Sequence, residues 1–261
     1  MAAFAFASAI SLAVAAPAAT RGGIASLNLC TDELVLLVAH PAQIRSISYL
    51  SHLPEESALW RRARRHRAND GSMLAAAAVR PSLVVTMGGG GRDQARLAAA
   101  VGARLLVLPY PTSLVDVMAS VRSVGIATGN PARAEAIVAA MRAAYASRPL
   151  RAVDALWVDG AGRTLSPSSL GARWLRLAGL AQRAVDGDRV TLETMMTRPP
   201  RVLVQSRYRT RQMSSATAWL RHPVARHAAA RRTLITDGRR WTCAGPTLLP
   251  EILRLRRLVA R

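Results

Sequence analysis

Short runs of β-branched and aliphatic residues alternate along this chain with alanine- and leucine-rich stretches, a pattern that predicts parallel strands flanked by helices. Ile24 to Leu29 reads as a first strand; Thr31, Asp32 and Glu33 then supply the cap and acidic first turn of a helix over Leu34 to Ala39. Ile44 to Ser48, Leu83 to Met87 and Arg104 to Leu108 read as further strands, with helices over 72–79 and 93–101 ahead of the last two. Residues 51–70 are polar and irregular, with a short helix around Trp60. The span 113–147 has no strand signal and reads as two helices broken at Gly129-Asn130-Pro131, where glycine stops one and proline starts the next. Alternation then resumes: strands at Ala155 to Val158, Val202 to Gln205 and Thr233 to Thr236, helices over 169–178, 191–197 and 214–220, and a closing helix from about Thr247. The helix-Pro-strand unit ending in Pro81-Ser82-Leu83 aligns with the one ending in Pro200-Arg201-Val202, which suggests that one lobe pattern occurs twice. Two α/β lobes joined by a helix is the simplest architecture.

Composition narrows the picture. With 261 residues, 51% hydrophobic and 20% charged, the chain has material for one or two packed domains, which excludes disordered, collagen-like and small disulfide-scaffold classes. The formal net charge is +21, and every basic residue other than histidine is arginine. The last 111 residues hold 21 of the 36 arginines but only seven of the 15 acidic residues. A basic field attracts nucleic acid, acidic lipid or anionic small ligands, and charge alone does not choose among them. Residues 3–16 form an uncharged apolar stretch followed by Ala16-Pro17-Ala18, a small-x-small pattern, so residues 1–19 read as a secretory signal peptide. Export places the mature chain where nucleic acid is scarce. A cytosolic arginine-rich nucleic-acid binder remains the reading that charge alone would support.

In an open α/β sheet ligands meet the carboxyl ends of the strands. The candidates there are Tyr49, Arg92, Tyr110, Arg207, Tyr208, Arg209 and Trp241, a set rich in guanidinium groups and flat aromatic faces that suits an anionic metal chelate. The glycine run Gly88 to Gly91 lacks the lysine and hydroxyl of a phosphate loop, and the chain has no CxxC, HExxH or GxSxG. His222 and His227 are five apart with Pro223 between them, a poor metal spacing. No catalytic residue, resident metal or cofactor is therefore expected. Cys30 and Cys243, the two cysteines, could pair after export across a very long loop or stay apart.

SLNLCTDELVLLVA (Ser26 to Ala39), the RPSLVVTM unit ending at Met87, PYPTSL (Pro109 to Leu114), SLGARWLRLAGL (Ser169 to Leu180) and LETMMTRPPRVLVQS (Leu192 to Ser206) together resemble the periplasmic substrate-binding proteins of ABC importers for ferric siderophores and cobalamin. The resemblance covers nearly the whole mature chain and rests on the order and spacing of the motifs. It implies an α/β fold of two Rossmann-like lobes joined by a long rigid helix, with a ligand cleft between the lobes and little hinge motion. The divisions it suggests are a signal peptide (1–19), an N-terminal lobe (20–111), a helical linker (112–150) and a C-terminal lobe (151–261). It further implies a monomeric, non-enzymatic periplasmic receptor that delivers an iron chelate or a corrinoid to the permease. A glutamate on each lobe, seven residues before the proline that starts a strand, would dock on permease arginines. Glu193 occupies that position before Pro200, whereas Leu74 stands before Pro81 and breaks the pattern, unless Glu55 or Glu56 substitutes. An enzyme on the same scaffold, acting on a nucleotide or a metallated cofactor, is the alternative and rests on fold analogy alone.

Overall fold

The computed structural model describes residues 23–89, 92–207, 223 and 232–261. Five parallel strands build the first sheet: β1 (Ile24–Ser26), β2 (Ile44–Ser48), β3 (Arg67–Asn69), β4 (Leu83–Met87) and β5 (Arg104–Leu108), in the order β3-β2-β1-β4-β5. Four more build the second: β6 (Val153–Val158), β7 (Leu180–Gln182), β8 (Val202–Arg207) and β9 (Thr233–Asp237), in the order β7-β6-β8-β9. Setting β6, β7, β8 and β9 against β1, β2, β4 and β5 gives the same order in both sheets, so the two lobes repeat one topology and the first adds β3. The apolar run Leu83 to Met87 is buried along its whole length, as a strand covered on both faces must be.

Helix starts follow the polar punctuation. α1 (Leu29–Val38) is capped by Asn28, whose side chain accepts from Thr31 N, so the helix begins two residues before the expected cap and shortens the first strand to three residues. α2 (Trp60–Ala63) is a single turn, with the guanidinium groups of Arg61 and Arg64 over the Trp60 ring at 4.9 and 4.8 Å. α3 (Met73–Ala77) and α4 (Arg92–Ala100) flank β4 in sequence. In the second lobe, α7 (Leu170–Leu177) follows β6 and α8 (Leu192–Thr197) precedes β8; the closing helix is Leu249–Val259. The helix expected over 214–220 lies outside the described residues, as do residues 1–19.

Between the sheets stand α5 (Leu114–Thr128) and α6 (Pro131–Ala146). Ser113 and Asp116 form a reciprocal capping box at the start of α5, Gly129 ends it at φ +70°, and Pro131 opens α6. Val121, Val124, Ala134 and Val138 pack into the core of the first lobe, while Val117, Met141 and Ala144 pack into that of the second. Met118 and Ile137 touch both cores. One helix pair is thereby shared by two cores, and the connection is a packed spine of two helices.

Candidate functional site

The carboxyl edge of the first sheet carries Asn28 after β1, Tyr49 after β2, Gly88 after β4 and Tyr110 after β5. Tyr49 opens a short 3₁₀ turn and is half exposed. Tyr110 is 71% exposed, with its ring laid against Gly88. Gly88 has φ +65° and donates its N–H to Leu108 O at 2.9 Å; a Cβ there would collide with the phenol, so only glycine lets the ring lie across the end of β4. At the end of β3, Asn69 donates to Ser26 O (2.9 Å) and Ser46 Oγ (3.0 Å), tying three strands together where the site begins. Hydrogen bonds from Ser72 hold the exposed Asp70 carboxyl below its usual range. Beneath this edge lies Asp32, whose Oδ2 accepts from Ser48 Oγ (2.5 Å) and Ser51 Oγ (2.6 Å). Complete burial pushes its carboxyl up to about 7, against the pull of those bonds.

On the second lobe, β6 runs into a turn folded by Asp159, whose Oδ1 accepts from Ala161 N and Arg163 N, both at 2.8 Å, and whose Oδ2 accepts from Arg163 Nε at 3.1 Å. Trp157, Asp159, Arg163, Thr164, Asp188 and Arg189 line a cavity of about 320 Å³ here. The indole Nε1 of Trp157 is buried without a hydrogen-bond partner. The pocket thus holds an unanswered donor and the Arg189 guanidinium beside an Arg163–Asp159 pair and Asp188, a lining that offers N–H donors to a hydrogen-bond acceptor.

Of the residues read from the sequence, Tyr49, Tyr110 and Arg207 stand on strand ends, and the exposed Arg92 begins α4. Each rises from a different element, and no hydrogen bond, ion pair or ring contact joins them to one another among the described residues. Tyr208, Arg209, His222, His227, Gly90 and Gly91 lie outside the described residues. Trp241 departs from the expectation of a cleft face. It is only 9% exposed, packs in the second core with its ring centroid 5.5 Å from that of Trp157, and donates Nε1–H to Thr236 Oγ1 at 2.9 Å. An aromatic five residues beyond the expected strand Thr233 to Thr236 reads as a strand-end residue, but the strand leads directly into a helix, Arg239–Cys243, that turns the indole inward. Its place is one layer behind Trp157. Trp157, Asp188 and Arg189 carry no motif; in the sequence this edge is legible only as Asp159 to Arg163, the residues beyond the strand expected over Ala155 to Val158.

The lobes meet along one seam. Cys30 of α1 and Cys243 are disulfide-bonded, with Cα atoms 5.3 Å apart. Beside the bond, Thr247 N donates to Glu33 Oε1 at 3.1 Å, and Arg239 Nη1 donates to Pro54 O at 2.7 Å. Burial pushes the Glu33 carboxyl up to about 7, against the Thr247 hydrogen bonds and the Arg240 charge. Burial also works against the charge on Asp237, yet Arg239 and Arg240 more than offset it and hold that carboxyl low.

Glu193, the second residue of α8, is exposed, and Leu74, the second residue of α3, is 83% exposed. The two helices lead into the equivalent strands β8 and β4. Among the described residues no cluster of three or more His, Cys, Asp or Glu could hold a metal ion, and no helix is long and apolar enough to cross a membrane.

This architecture, two parallel sheets of matching topology on a shared helical spine, is the fold of the two-lobe periplasmic binding proteins. The periplasmic heme-binding protein HutB of Vibrio cholerae superposes with a TM-score of 0.71 at 16% identity, covering 91% of this chain and 98% of that one. The periplasmic heme-binding protein RhuT of Roseiflexus sp. RS-1 gives 0.68 at 18% identity over 90% and 96%. Helicobacter pylori CeuE with bound Ni(II) gives 0.64 at 14% over 90% and 82%. No family model and no curated protein sequence matches the chain.

Proposed function

We propose that this chain is the periplasmic substrate-binding component of an ABC importer, a receptor and not an enzyme, and that its cargo is an anionic metal chelate held between the lobes. The carrying observation is the pocket at the end of β6, where the unpartnered Trp157 indole N–H sits with Arg163 and Arg189. Carboxylate or catecholate oxygens would meet that donor and the Arg189 guanidinium, with Arg163 held in place by Asp159. The exposed phenols of Tyr49 and Tyr110 on the first lobe offer flat faces and hard oxygens to a ferric macrocycle or siderophore. The fold shared with heme-binding and nickel-bound periplasmic proteins supports the same class of cargo. Residues 1–19 are the proposed export signal. The exposed Glu193 is the proposed permease contact, and Leu74 leaves the corresponding contact of the first lobe apolar.

Titration of the mature protein with hemin, a ferric catecholate siderophore and cyanocobalamin, followed by absorption and tryptophan fluorescence, tests the reading. A ferric chelate is expected to bind saturably and to lose about tenfold in affinity or more in Arg163→Ala and Tyr110→Ala, the cost of a charge-assisted hydrogen bond or an aromatic face. Preference for cyanocobalamin would replace the anionic cargo with a corrinoid. Silence with all three would sink the receptor assignment.

A further inference from the structure

A second concavity lies between the spine, α7 and the edge strand β7. Its volume is about 690 Å³, within the range of small-molecule pockets, and none of Tyr49, Arg92, Tyr110 or Arg207 lines it. The apolar lining comes from Leu114, Met118, Met141, Ala172, Leu177 and Leu180. Every charged residue of the lining is cationic: Arg142 and Arg148 from α6 and the turn after it, Arg173 and Arg176 from α7, beside the neutral Ser113, Ser168 and Gln182. No aspartate or glutamate lines the groove, and among the described residues none of these four arginines forms an ion pair. Arg148 lies 3.9 Å over the Tyr145 ring and donates Nη1–H to Tyr145 O, and Arg176 donates Nη2–H to Leu150 O. Each keeps further N–H groups of its fork. Arg142 and Arg173 are exposed.

From these features we infer that the groove is a binding site for a long-chain carboxylate. An apolar trough alone would suit a neutral chain, and four arginines alone would suit any small anion; together they complement a molecule that carries both. The lining on the spine side runs from Met141 to Tyr145, about 6 Å along the α6 axis at 1.5 Å per residue, and on to Arg148 in the turn beyond it, and Ala172, Arg173, Arg176 and Leu177 line the facing wall. The acyl chain lies between the two helical stripes, and its carboxylate is held by guanidinium N–H groups at the rim. The site is independent of the cargo proposed above.

The test is displacement of a fluorescent dansyl-undecanoate probe from the mature disulfide-bonded protein by dodecanoate, with dodecanol as the uncharged control. Dodecanoate is expected to displace the probe about tenfold more strongly than dodecanol. The double substitution Arg142→Glu/Arg173→Glu should weaken probe binding by about tenfold or more through the lost charge complementarity. Val115→Trp, at a position 68% exposed at the groove mouth, fills the trough without disturbing a core and should do the same. Neither substitution should change the titration with hemin. Equal displacement by acid and alcohol, undiminished probe binding in either folded variant, or one-for-one displacement of the probe by hemin would overturn the assignment.

Discussion

At the first turn of α1, Asp32 shows how burial changes the meaning of a residue. As sequence it is a helix-start acid whose charge favours the N-terminus. In the folded chain it is fully buried, bonded to two serines through Oδ2, and its Oδ1 has no partner, so the neutral form is favoured up to about pH 7. The folded carboxyl binds its proton more tightly than the unfolded one. Its contribution to stability is therefore complete below about pH 4 and is lost as pH rises to about 7, by at most about 1.4 kcal/mol per pH unit. Glu33 contributes with the same sign. Asp32→Asn should flatten the dependence of thermal stability on pH between 4 and 7, measured by calorimetry; an unchanged slope would mean that Asp32 is already ionised in the fold. Trp241 teaches the same lesson from the apolar side. Its position relative to the strand was legible, but the direction of its ring depends on a one-turn helix that no periodicity announces.

Among the elements, the clearest signals were chemical punctuation and uninterrupted apolar runs. Gly129-Asn130-Pro131 separates α5 from α6 where expected, and β2, β4 and β5 occupy the expected residues. β3 and β7 were not legible, because three residues on a sheet edge carry too little pattern to distinguish from a loop. Nor was the closeness of the spine helices. Gly125 of α5 faces Ala134 of α6 so tightly that a Cβ on the glycine would collide with the alanine Cβ. In sequence Gly125 is an unfavourable helix residue; in the structure it sets the distance between two helices that serve both cores. Gly125→Val should destabilise the protein by about 1–3 kcal/mol through overpacking, read as a lower denaturant midpoint with unchanged m. A neutral result would show that the pair can separate without disturbing either core.

At the scale of the molecule, the lobes are joined among the described residues by the spine, by the polar contacts of Glu33 and Arg239, and by the Cys30–Cys243 disulfide, whose partners are 213 residues apart. A bond that closes so long a loop restricts the unfolded chain strongly. Removing a native disulfide typically costs about 2–5 kcal/mol. The double substitution Cys30→Ser/Cys243→Ser should lower Tm by on the order of 10 °C, with dithiothreitol producing the same fall in the native chain. No change in either experiment would mean that the spine and the polar contacts alone hold the seam.

The sequence by itself determined the alternation of strands and helices, the placement of the helical connector, the repeated lobe pattern and the strand ends at which ligands would gather. These depend on local periodicity, caps and glycine or proline punctuation, which act over a few residues. Only the tertiary structure decided that Cys30 meets Cys243, that Trp157 stands at the pocket with Trp241 behind it, that Asp32 is neutral over most of the acid range, and that arginines from α6 and α7 rim one apolar groove. Each of these joins groups distant in the chain, or depends on how completely water is excluded, and neither is encoded in the spacing of residues along one segment.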